Sequence, residues 1–391
     1  MTGDRLFRVS AAGSLACHAL LLLWTDGLQG GGDMKPHLRL IQLMREDPSL
    51  HNVYPPAYHA LGALLAPLSG LAAFPEWFAW CSAAALIASF RLFQRAAGLP
   101  DVTSALFAWA PYGFALTRCL PKVEAAGYAL AFVGLACLIR RRHVALGATL
   151  TAAFFVHTGA ALFLGLCAGS LALALRDVRA LLALAAGSLL AAPLPLAHVA
   201  AGCSLAQALL FSEGDYLRAA PRLHNLLHAD RVIVLANPIA LIFALAGAPQ
   251  LWRQHRPIAV LCGVVVALYL NEIWLAPFGA RTTLDLLRGL TILAFPVAAA
   301  AGVALAQRPA AAAGAVAGSA ALAILAALLV VPAACVSKPI DVAEIASFDV
   351  DRCTFRWRRQ RAHRLLISAP RGEIGPDRGV EGVAPHDAAP Q

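Results

Sequence analysis

The chain has 391 residues, 60% of them hydrophobic and only 14% charged, where a soluble domain carries roughly 25% charged residues. With a mean hydropathy of +0.69, it has too little polar surface for water, which argues against a soluble globular protein. The net charge of +9 does not read as a nucleic-acid footprint. The arginines fall in short clusters between apolar runs: Arg91/Arg95, Arg140 to 142, Arg176/Arg179 and Arg253/Arg256. That is the positive-inside pattern of cytoplasmic loops.

Apolar runs able to cross a hydrocarbon core of about 30 Å recur along the chain, at 9–24, 123–139, 180–199, 258–270, 284–306 and 310–331. They lack the polar alternation of a membrane barrel, so the expected fold class is all-α, a polytopic membrane protein with about 11–12 transmembrane helices. The amino terminus carries Arg5 and Arg8 and is expected on the cytoplasmic side. No small-residue cleavage site follows the first apolar run, which reads as a retained helix. It delivers a polar first outer loop, 25–56. Gly30, Gly31 and Gly32 lead there into a short predicted helix over 33–44, with Leu40, Leu43 and Met44 on one side and Lys35, Arg39, Gln42 and Glu46 on the other. That pattern suits a helix lying in the membrane interface. Pro55 and Pro56 cannot sit inside a helix, so the next one begins there.

Whether 57–90 crosses once or twice is open, because two crossings would put Arg91 and Arg95 outside, against the charge rule. Later spans are expected near 102–119, 123–139, 144–157, 159–175, 178–200, 231–251, 257–275, 284–305 and 310–333. Polar outer loops separate some of them at 201–230 and 271–283. Residues 1–335 thus form one membrane domain. The tail, 336–391, is Arg-rich and then Gly/Pro-rich, and is expected to be disordered. Its basic charge favours the cytoplasm, whereas span counting favours the opposite side. The nine cysteines show no CxxC or metal-ligand spacing and read as small apolar residues. No internal repeat is visible.

One constellation stands out: a first transmembrane helix, then Gly32-Asp33-Met34-Lys35-Pro36-His37, then Asn52-Val53-Tyr54-Pro55-Pro56-Ala57-Tyr58-His59 opening a helix. It resembles the front end of the GT-C superfamily of membrane glycosyltransferases. The stretch from Ala66-Pro67 through Phe74-Pro75-Glu76-Trp77 to Arg91-Leu92-Phe93 resembles the polyprenol-phosphate-mannose-dependent branch. The resemblance covers about the first 95 residues. It implies a polyprenyl-phosphate sugar as donor, a catalytic acid in the first outer loop, and inverting chemistry by direct displacement. The family often shows two acidic residues near that loop; here Asp33 stands alone, with Glu46 and Asp47 further on.

The chemistry can be argued without the name. An acceptor hydroxyl is a poor nucleophile at neutral pH, and a carboxylate within reach can take its proton. The leaving lipid phosphate gains charge, which Lys or Arg can stabilise. The catalytic candidates are therefore Asp33, His37, Glu46 and Asp47, with Asp33 as base or as ligand of a divalent metal (Mg or Mn). The candidates for donor and phosphate binding are Lys35, Arg39, Tyr54, His59, Lys122, Arg218, Arg222 and Arg281. Each has a plainer role open to it. Asp33 could be an N-cap, His37 a solvated side chain, and Glu46-Asp47 a helix terminator. Lys122 could pair with Glu124, and Arg281 could join a network with Asp285 and Arg288 on one helix face. His157, between two short apolar stretches, could line a cavity or hydrogen-bond another helix.

The reading is a hexosyltransferase, of mannose by preference, of a bacterial-type inner membrane. It would act on the outer face and pass sugar to a glycan, lipid or protein. Two other readings compete. A polysaccharide polymerase or ligase would centre on Arg218, Arg222 and His224, and a lipid or solute transporter would show inverted repeats and broken helices.

Overall fold

The computed structural model describes residues 2–24, 34–47, 54–71, 73–110, 123–204, 237–275, 286–334, 348–350 and 357–359. These residues are helical apart from one short strand pair. In chain order the helices are α1 (Gly3–Trp24), α2 (Met34–Glu46), α3 (Ala57–Ser69), α4 (Phe74–Ala96), α5 (Asp101–Phe107), α6 (Glu124–Ile139), α7 (His143–Val156), α8 (Thr158–Ala174), α9 (Val178–Ala191), α10 (Pro193–Ala200), α11 (Pro238–Gln254), α12 (Arg256–Tyr269), α13 (Asn271–Leu275), α14 (Leu286–Leu305) and α15 (Pro309–Ala334). Two stretches are long and apolar enough to cross a membrane, Gly3–Leu23 and Val178–Ala200, the second running through α9 and α10. A third candidate is the pair α3 and α4, bent by 118°. Shorter apolar helices include α6, α7, α8 and α12.

The core lies where α4, α5, α6 and α14 meet. Phe90 stacks on Phe107 with centroids 3.6 Å apart, and Phe132 meets Phe90 edge-on at 5.1 Å. Phe93 meets Phe295 edge-on at 5.2 Å. Leu23, Leu68, Val144, Leu189 and Leu245 are exposed instead, an apolar surface far beyond what scattered leucines on a soluble protein present.

Between α7 and α9 the backbones themselves touch. A Cβ on Gly187 would lie 2.5 Å from the Gly147 carbonyl oxygen, and one on Gly147 would lie 2.7 Å from that of Ala183. The Thr151 hydroxyl donates across the gap to the Gly187 carbonyl at 2.9 Å. Small residues four apart on both helices, with a hydroxyl as glue, are the packing device of helices that gain no hydrophobic drive from one another. The Gly187→Val protein is expected to lose about 3 kcal/mol, because the contact is backbone and cannot swing aside. Thermal unfolding in detergent reads this as a lowered midpoint.

Two placements bear on segments whose course was open in the sequence. Arg91 and Arg95 return to the amino terminus, where both pair with Asp4, at 2.9 and 3.1 Å. The end of α4 therefore lies beside the start of α1. Secondly, the tail contains two three-residue strands, β1 (Phe348–Val350) and β2 (Trp357–Arg359), paired antiparallel. Strand β1 packs beside α2. The strand pair therefore lies at the α2 end of the bundle. A further difference concerns cysteine. Cys203, just past α10, is engaged in a disulfide rather than held as a thiol.

Candidate functional site

At the end of the bundle away from the amino terminus, α2 lies on α3. Its buried face is His37, Leu38, Leu40 and Ile41, one step round from the expected Leu40–Leu43–Met44 stripe. The reason is its partner. Ile41 seats over Gly62, where a Cβ would come within 2.5 Å of the Ile41 Cδ1. A face chosen for close contact with a helix differs from one chosen to float in an interface. Pro55 and Pro56 start α3 as expected, with Pro56 at the cap.

That packing gathers three of the residues singled out by the sequence. His37 Nδ1 and His59 Nε2 are 2.9 Å apart, in rings only 6% and 2% exposed. Tyr54 meets the His37 ring edge-on at 4.8 Å, and Tyr58 meets it at 5.4 Å. The His59 ring also bonds the Pro55 backbone, where only the carbonyl can accept. A neutral ring with its proton committed there keeps Nε2 as an acceptor, which makes His37 Nδ1–H the donor. The two imidazoles thus engage one another. Among the described residues no three His, Cys, Asp or Glu side chains group as metal ligands. Asp33, the expected ligand, lies outside the described residues.

The cluster has two surroundings. Leu38, Ile41, Tyr58, Phe74 and Val123 form one apolar unit around it, with Val156 packed alongside. The start of α6, with Glu124 in its first turn, and the end of α7 thus reach the same place, an arrangement that nothing in the spacing of 37, 59 and 123 could disclose. On the other side, Phe74 and Phe78 also line an apolar groove of about 320 Å³ in the bend between α3 and α4, with Leu61, Leu65, Leu68 and Trp77.

The remaining candidates fall elsewhere. Glu46 and Asp47 are exposed at the far end of α2, where the Asp47 N–H closes the last turn on the Leu43 carbonyl at 2.8 Å. Nine residues of helix put Glu46 about 13 Å along the axis from His37, so these two expected catalytic residues do not act at one point. Arg39 is half-buried, and its guanidinium donates to Gln42 at 3.4 Å. His157 accepts from the Ala160 N–H at 3.1 Å and caps α8. The break between α7 and α8 is therefore a capped turn. The Lys35 side chain and residues Lys122, Arg218, Arg222, His224, Arg281 and Asp285, together with the Arg288 side chain, lie outside the described residues. No family profile matches the chain, and no curated protein is similar to it.

Proposed function

We propose that this chain is a multi-spanning membrane glycosyltransferase of GT-C type, moving a hexose from a polyprenyl phosphate to an acceptor at the α2 end of the bundle. The observation that carries the reading is the joining of a buried His–Tyr cluster to an apolar groove through Phe74 and Phe78. An amphiphilic donor needs both surfaces: an apolar channel for prenyl chain and a polar cluster beside it for sugar and phosphate. The helix that carries His37 begins one residue after Asp33, the acid of the first loop.

In this reading the acceptor oxygen forms its bond to the anomeric carbon as the bond from that carbon to the phosphate oxygen breaks. The acceptor proton passes to Asp33, and the lipid phosphate leaves with its electron pair. Lys35, Arg39, Lys122, Arg218, Arg222 and Arg281 are the cations available to that phosphate. If a divalent metal takes part, Asp33 is its protein ligand.

The shorter apolar helices count as spans in this reading, about 11 in all, in a bacterial-type inner membrane. The amino terminus lies in the cytoplasm, and the α2 end faces outward. The Cys203 disulfide supports that orientation, since disulfides persist on the oxidising side.

The test is transfer of labelled sugar from polyprenyl-phosphate donors in membranes carrying the protein, beside an Asp33→Asn variant at equal expression. Transfer is expected, and the variant is expected to lose about 10²–10⁴-fold. Transfer that survives the substitution moves the base to another residue, and absence of transfer from every donor overturns the proposal.

A further inference from the structure

The other end of the bundle holds a second cavity, remote from the His–Tyr cluster and of different chemistry. It is a bowl of about 740 Å³ between the ends of α4, α6, α8 and α11 and the starts of α7, α9 and α12. Its polar wall includes Arg141, Arg176, Arg179, His143 and Asp177, and its apolar wall includes Leu138, Ile139, Leu171 and Ile258. Asp177 is already committed. It bonds His143 Nε2 at 2.9 Å and accepts from the Ala180 N–H at 3.1 Å. These bonds, that from His143 first, hold its carboxyl below the usual range. Arg141, Arg176 and Arg179 make no salt bridge among the described residues, so the wall carries an excess of positive charge.

The backbone adds an independent observation. Three helices end at this bowl in the same two-bond turn. In α4 the Leu99 N–H reaches Gln94 O and the Gly98 N–H reaches Arg95 O. In α6 the Arg142 and Arg141 N–H groups reach Cys137 O and Leu138 O, and in α8 those of Asp177 and Arg176 reach Ala172 O and Leu173 O. This turn needs a left-handed residue, normally glycine. Gly98 fills it at φ 65, whereas Arg141 and Arg176 fill it at φ 55 and φ 54. A long β-carbon-bearing side chain is disfavoured there. The fold uses arginine twice at its most awkward position, both times on the rim of one cavity. Helix termination would be better served by glycine at both sites, so the guanidinium groups themselves are what these positions retain.

We propose that this bowl binds a phosphate group, and that its source is the headgroup of a lipid in the leaflet at the amino-terminal end. Paired guanidinium groups match phosphate oxygens in a forked geometry. The apolar wall continuous with them fits the glycerol and first acyl carbons of a lipid rather than a free ion. The site is independent of sugar transfer, so either proposal can fail alone.

The test uses the full-length protein in detergent, titrated with phosphatidic acid, phosphatidylcholine or inorganic phosphate and followed by native mass spectrometry and thermal unfolding. The variant is Arg141→Gly/Arg176→Gly, which relaxes both turns while removing both cations. Its melting temperature without lipid is expected to equal or exceed that of the unmodified protein. Its affinity for phosphatidic acid is expected to fall at least about tenfold. Phosphatidylcholine is expected to bind the unmodified protein more weakly than phosphatidic acid. If inorganic phosphate at millimolar concentration displaces phosphatidic acid, the lipid source is overturned. The site itself is overturned by undiminished binding in the double variant. An equal loss in Arg140→Gln/Arg142→Gln, which removes two neighbouring charges outside the bowl, also overturns it.

Discussion

The His59→Leu protein is expected to stay folded and to lose about 10²-fold in sugar transfer. Leucine keeps the buried volume of a ring that is 2% exposed. It removes the acceptor 2.9 Å from His37 Nδ1, a buried hydrogen bond lost from α2. That helix remains attached through Leu38 and Ile41, which lie in the same apolar cluster as Tyr58 and Phe74. It will shift to rehydrate His37, and the chain that shifts is the one leading from Asp33. A displacement of about 1 Å in a positioned group is enough for a loss of that size. His59→Gln, whose amide can accept from His37, is expected to regain most of the rate. If His59→Leu transfers sugar as well as the unmodified protein, the imidazole pair serves packing alone.

The Arg91→Met protein is expected to lose about 3 kcal/mol of stability, seen as a lowered midpoint on thermal unfolding in detergent. Arg91 is 6% exposed. Its guanidinium donates to Asp101 at 2.6 Å, Gln94 at 2.7 Å and Asp4 at 2.9 Å, and it lies 4.7 Å over the Phe7 ring. One side chain thus ties α1, α4 and α5 together at the amino-terminal end. Removing one partner of a buried pair costs about 3–5 kcal/mol. The lower figure applies because the Asp4 and Asp101 side chains, 35% and 40% exposed, can recover water. Adding Asp101→Asn to Arg91→Met is expected to cost less than the sum of the two single changes, since both act on the same bond. Additive losses would mean that Arg91 contributes by packing its stem.

Several features of this protein were legible residue by residue. The Pro55-Pro56 start of α3, the short helix after Asp33 and the apolar character of the whole chain follow from local rules: proline's missing N–H, helical spacing and hydropathy over a window. His37, Tyr54 and His59 were each recognisable as candidates, His37 by its place one turn from Asp33 and the other two by the resemblance of the segment that opens α3. Their meeting was not legible, since 22 residues separate the two histidines and only the docking of α2 on α3 joins them. The same docking rotated the buried face of α2 away from the stripe that hydrophobicity alone suggested.

Charge read from the sequence did not disclose packing. The basic charge of the tail said nothing of where its strands dock, and β1 lies by α2. Arg91 was only a flanking charge in sequence, and its bonds to Asp4 and Asp101 appear only in the fold. Arg141 and Arg176 read as topology signals in sequence, and their left-handed backbone became visible only once the helix ends were built. By itself the sequence determined what each segment is: a helix, its apolar length, its starting proline, its flanking charge. Those properties depend on residues within a few turns of one another. The tertiary structure alone decided which segments touch, and so which side chains share a pocket, because contacts between distant residues depend on shape complementarity along whole helix faces.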